Sequence, residues 1–156
     1  MFKYGIDSLT LKSVNEIANG TLKGVITNET EEKIINCRNK VTAITNSDKV
    51  VYGINTGFGP LCDVKISKEE TNLLQKNLLI THAVGVGENI DRHLSKLMMI
   101  CKVHALCQGF SGVRLEVIER IIFFIENDLL PTVPKQGSVG ASGDLAPLSH
   151  LFLPLI

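Results

Sequence analysis

Apolar positions along the chain recur mostly at helical spacing. Ile118, Ile121, Ile122 and Ile125 follow the i, i+3, i+4, i+7 rule of a buried helical stripe, which predicts a helix from about 113 to 127 that Pro131 and Pro134 stop. Upstream, a short extended start leads to Thr10, which precedes a helix ended by Gly20, and residues 23–27 read as a strand. Asn28 is placed to cap a long amphipathic helix to about Ser47, with Glu29, Glu31 and Glu32 in the first turn, where the helix dipole favours acids. Gly53, Gly57, Gly59 and Pro60 make 50–66 a loop. Ser67 and Glu70 form a capping box that opens the next helix, and Gly85 closes it. Asp91 caps another, running to about Gln108. No repeat, low-complexity tract or linker interrupts this order, so the chain reads as mainly α with a few short strands.

Composition adds bounds. A chain of 156 residues that is 44% hydrophobic can bury one core. Lys and Arg equal Asp and Glu at 16 each, which removes the electrostatic case for a nucleic-acid or anionic-membrane partner. No apolar run reaches the ~18 residues of a membrane span, and the start carries no basic-then-apolar leader, so a soluble cytoplasmic protein is expected. Cys37, Cys62, Cys101 and Cys107 form no C-x-x-C pair and read as reduced thiols. Cys101, His104 and Cys107 lie three apart on one helix and could face a single ion. A buried face with two small thiols is the preferred reading, and no metal is assigned.

The densest chemistry lies at 137–148, Gly-Ser-Val-Gly-Ala-Ser-Gly-Asp-Leu-Ala-Pro-Leu. A serine between Ala141 and Gly143 can be consumed by its own backbone. The Gly143 amide nitrogen attacks the Ala141 carbonyl carbon, and loss of two waters leaves a methylene where the Ser142 hydroxyl stood. Gly143 has no Cβ to resist the strained turn this needs, Ala141 adds little bulk, and Asp144 is available to move protons or hold the bend. A bare Ala-Ser-Gly triplet is common, so its surroundings must decide between this reading and an ordinary loop.

Three blocks supply those surroundings: YGINTGFGPL at 52–61, QKNLLITHAVGVG at 75–87, and GFSGVRLEVIERI at 109–121, which runs on to LPTVPKQGSVGASGDLAPLSH at 130–150. In order and separation they resemble the histidine and aromatic amino acid ammonia-lyase family. The resemblance covers the chain from about residue 50 onward. It implies that Ala141, Ser142 and Gly143 become a self-derived methylidene-imidazolone (MIO) cofactor, that no external cofactor is used, and that the fold is the family's fumarase/aspartase-like helical one. It also implies that residues 1–156 are an incomplete N-terminal, MIO-bearing domain of a homotetramer, with further site residues beyond Ile156. The isolated piece is then expected to be inactive, with an unmodified triplet and an apolar end that drives self-association.

The same resemblance gives roles to single residues. Tyr52 would be the base that removes the substrate's β-proton, which requires neighbouring positive charge because a phenol near pKa ~10 is a poor base at neutral pH. The glycines around it suit a lid. His82 would meet the substrate side chain, and a histidine there suits an imidazole or a phenol better than a phenyl ring. Each has a plain alternative, a loop-edge aromatic for Tyr52 and a helix-end histidine bonding the last carbonyls for His82. Asp144 would support cyclisation. The expected reaction is loss of ammonia from L-histidine to give trans-urocanate, with tyrosine ammonia-lyase or aminomutase chemistry as the near alternative. Two other classes stay open: a serine hydrolase pairing Ser142 with His150 or His82, and a non-catalytic helical module. The hydrolase lacks the G-x-S-x-G elbow, since Asp144 stands where its last glycine belongs.

Overall fold

A computed structural model describes residues 1–137, 143 and 145–156. Helices dominate it. In chain order the elements are β1 (Phe2–Lys3), α1 (Leu11–Ala18), β2 (Gly24–Val25), α2 (Asn28–Thr45), α3 (Lys68–His82), β3 (Val86–Asn89), α4 (Arg92–Leu106), α5 (Leu115–Glu126), β4 (Pro134–Gln136) and α6 (Leu145–Phe152). Short 3-10 turns lie at Gly59–Leu61 and Leu153–Leu155. No helix among the described residues is long and apolar enough to cross a membrane.

The centre is built by α4 and α5. Met99, Ile100 and Val103 of α4, with Cys107 just past it, face Ile118, Ile121 and Ile125 of α5, and all seven are buried. Val14, Ile17 and Ala18 of α1, Ile34 of α2, and Phe2 and Tyr4 close the rest. The predicted isoleucine stripe therefore holds at three positions, while Ile122 is only half-buried at its margin.

Most boundaries follow the expected caps. Thr10 and Ser67 each form a capping box, with Ser13 and Glu70 as partners, and Asp91 accepts the His93 amide at 2.7 Å. The differences are local. Thr27, not Asn28, caps α2 by accepting the Thr30 amide at 3.3 Å, because a threonine in extended backbone already supplies that acceptor. The same helix stops at Thr45, two residues short of Ser47. Helix α3 stops at His82 and leaves Gly85 in the turn beyond. Helices α4 and α5 each close a residue or two inside the expected spans, and α5 is ended by Asp128 in the left-handed region (φ 56°) before either proline is reached.

Two features went unread in the sequence. Strands β3 and β4 pair antiparallel, Val86 with Gln136 and Asn89 with Pro134, so one extra residue sits on β3. Gly87, at φ 82°, takes up that bulge. Pro134, expected only to break a helix, instead opens an edge strand. The apolar run after Asp144 forms α6, which packs against α3 and β4. The expected strand at 23–27 is present at Gly24–Val25, paired in parallel with β1.

Cys107 is buried, and burial pushes its thiol up to about 12, so it is an inert core group. Cys101 is exposed, which corrects the expectation of a buried face with two thiols. Between them, His104 accepts the Gly5 amide on Nδ1 at 3.2 Å. Desolvation lowers its pKa below the ordinary histidine value, opposed in part by Asp7.

An imidazole whose folded-state pKa is depressed binds fewer protons folded than unfolded. Its contribution is complete above the ordinary histidine range and is lost as pH falls through and below that range. The urea midpoint should therefore decline from pH 7.5 to 5.5, and His104→Gln, whose amide can still accept from Gly5, should decline less steeply. Equal slopes would exclude His104 as the source.

Candidate active site

An open cleft of about 1250 Å³ runs between α3, α6 and the 50–66 loop. Its apolar wall comes from Leu78 and Leu79 of α3 with Leu145, Leu148 and Phe152 of α6. Tyr52 and His82, singled out separately in the sequence, both line it.

The loop that brings Tyr52 there is internally tied. Ile54 and Asn55 donate their amides to the Val51 carbonyl at 3.1 and 3.2 Å, which folds the backbone around Tyr52. The Asn55 side chain, 2% exposed, accepts from the Val51 amide at 2.9 Å and donates to the Lys49 carbonyl at 2.7 Å. Thr56 bridges Lys65 across the loop. The Tyr52 ring lies edge-on to Phe58, centroids 5.8 Å apart, and stays 62% exposed.

His82 is the last residue of α3. Its Nδ1 lies 2.8 Å from the Leu78 carbonyl, which can only accept, so Nδ1 carries the hydrogen. Nε2 is thereby left as an acceptor on a residue that lines the cleft. The plain helix-end bond is made by one nitrogen, and the second is available for other chemistry.

Of the triplet, Ala141 and Ser142 lie outside the described residues, as does Asp144. Gly143 is described. Its φ is 98°, which a residue with a Cβ rarely adopts, and a Cβ there would meet nothing within 4 Å. Among the described residues, backbone conformation and not crowding is what calls for glycine. The triplet's following helix, α6, supplies one wall of the cleft.

Sequence reasoning missed the charge of this cleft. Arg38, Lys76, Lys102 and Arg114 line it, and no carboxylate does among the described residues. Arg38 also donates to the Gly112 carbonyl at 3.3 Å, which ties α2 to the turn before α5. These cations come from α2, α3, α4 and the start of α5, so only folding reveals that they share a cleft with a tyrosine. Arg114 lies within one of the family-like blocks, yet its position in a motif says nothing of what it faces.

His150, on α6, accepts the Gly85 amide on Nε2 at 2.9 Å. The nitrogen that a hydrolase would use to take a serine proton is already engaged, which counts against pairing it with Ser142.

Residues 9–156 match the family described as aromatic amino acid lyase. The chain belongs to that family. A histidine ammonia-lyase of Shouchella clausii is 46% identical over 149 residues, 96% of this chain and 30% of that protein. Among solved structures, the histidine ammonia-lyase of Trypanosoma cruzi superposes with a TM-score of 0.83 at 32% identity, covering 97% of this chain and 29% of that one. An ergothioneine-degrading enzyme of Treponema denticola reaches a TM-score of 0.89 at 24% identity over 99% of this chain and 31% of that one, a likeness of fold. The chain thus spans about 30% of the length of the ammonia-lyases it matches. A mainly α arrangement with few short strands agrees with the expected fold class.

Asn55 should prove the pin of the tyrosine loop. Asn55→Ala leaves the Val51 amide and Lys49 carbonyl without their partner and is expected to lower stability by roughly 1–3 kcal/mol. A urea midpoint indistinguishable from the parent's would refute that role.

Proposed function

We propose that the protein carrying this chain is a histidine ammonia-lyase, which removes ammonia from L-histidine to leave trans-urocanate. The single observation that carries the reading is the meeting of Tyr52 and His82 in one cationic cleft beside the helix that follows Gly143. The high identity to histidine ammonia-lyases supports the choice of substrate.

Gly143 fits the self-derived MIO group because its φ of 98° is a conformation that favours a residue without a side chain. The group, formed from Ala141, Ser142 and Gly143, would supply the electrophile that turns an amino group into a leaving group. The chain's own residues do the rest. The His82 Nε2 accepts the N–H of the substrate imidazole. Tyr52, at the cleft edge, takes the β-proton. Arg38, Lys76, Lys102 and Arg114 give the cleft a positive field that favours a carboxylate substrate. Asp144 supports cyclisation. The homotetramer and the cytoplasmic setting belong to the same proposal.

Two measurements test it. The intact mass of the full-length protein should be short by two waters, and L-histidine should yield a product with urocanate absorbance. Ser142→Ala should restore both waters and abolish turnover with the fold intact. Retention of roughly a tenth of kcat, a barrier change of only ~1.4 kcal/mol, would sink the assignment of the electrophile. His82→Leu should lower kcat/KM for L-histidine and improve relative acceptance of L-phenylalanine, because a substrate imidazole would face an apolar wall. An unchanged preference would leave His82 with its helix-end bond alone.

A further inference from the structure

Three segments meet at Gly85, three residues past His82. From one side comes α6, whose His150 accepts the Gly85 amide at 2.9 Å. From another comes β4, since a Cβ on Gly85 would lie 3.1 Å from Pro134 Cβ and Cγ, as well as 3.0 Å from His150 Nε2. Beyond β4, Gly137 packs so tightly on the first turn of α6 that a Cβ there would come within 3.0 Å of Ala146 Cβ and 3.8 Å of the Gly85 Cα. A Cβ on either glycine would be tighter than an ordinary contact, so the backbone here lies close against its neighbours.

Within this junction the His150 bond is directional, and the rest is packing. It is also the polar link from α6 to the turn that ends α3. Residues 83–85 connect it to His82 by three peptide units, so the turn it holds directly follows the residue whose imidazole lines the cleft.

We propose that His150 is a positioning residue for substrate side-chain specificity: by holding the Gly85 amide it fixes the turn after α3, and so sets where the His82 imidazole stands against the α6 wall of the cleft. This rests on the reading of His82 as the residue that meets the substrate side chain. His150 itself does not touch substrate, so its loss should act on imidazole recognition and not on binding in general.

The test uses the full-length enzyme and two competitive inhibitors of the same length and charge, trans-urocanate and trans-cinnamate, which differ in carrying an imidazole or a phenyl ring. His150→Leu should weaken urocanate about tenfold and leave cinnamate nearly unchanged, the size expected for one unmade polar contact. His150→Gln, whose amide oxygen can accept from Gly85, should restore urocanate. In a His82→Leu background, His150→Leu should add no further loss. Equal weakening of both inhibitors, no change in either, or a glutamine variant no better than leucine would overturn the proposal. Should His150→Leu fail to fold, Gly85→Ala crowds the same nitrogen while keeping the histidine, and an unchanged inhibitor ratio there would overturn it equally. A wild-type mass with no missing water, or no urocanate from L-histidine, would instead refute the lyase reading.

Discussion

The close approach of the His150 and Pro134 side chains to the Gly85 backbone is the constraint on which the site depends. It brings the end of α3, the bulged β3–β4 ribbon and α6 within van der Waals distance of one another. The cleft takes its lining from both α3 and α6, and these two helices are joined at this end by the bond between Gly85 and His150. Glycine is the residue that permits it, since any larger side chain would have to occupy space already taken by Pro134 and His150.

The core and the site are divided between different elements. Helices α1, α4 and α5 bury the isoleucines, valines and methionine that hold the chain together, and the cleft takes its lining mostly from α3, α6 and the 50–66 loop. Helix α3 contributes no fully buried side chain among the described residues. Its leucines face the cleft or remain open, so its position is set by its capping box, by packing on α6 and by the Gly85 junction. That separation lets the cleft carry unpaired polar groups without weakening the centre.

Charge is arranged in the same spirit. A chain with no net charge presents four cations and no carboxylate along the described lining of this cleft, while acids such as Glu29 and Asp128 are spent on pairs with Lys33, Arg92 and Lys96. The Glu29–Lys33 and Asp128–Arg92 pairs are well exposed on both sides and add little to stability. The cleft cations matter for the field they impose on whatever enters.

Much was legible in the sequence because it depends on local chemistry. Caps at Thr10, Ser67 and Asp91, the isoleucine stripe of α5 and the irregular 50–66 segment all follow from residues a few positions apart, whereas the roles of Ser142, Tyr52 and His82 come from the resemblance of three blocks to a family and stand as proposals. Even the errors were local: Thr27 displaced Asn28 as a cap, and Asp128 ended α5 before the prolines could. What tertiary structure decided is everything that joins residues distant in sequence. The pairing of Val86 with Gln136, the gathering of Arg38, Lys76, Lys102 and Arg114, and the bond from Gly85 to His150 each link positions tens of residues apart. No periodicity encodes such links, because a hydrogen bond or a shared cleft wall leaves a signature only in space, after the core has fixed which faces the helices present.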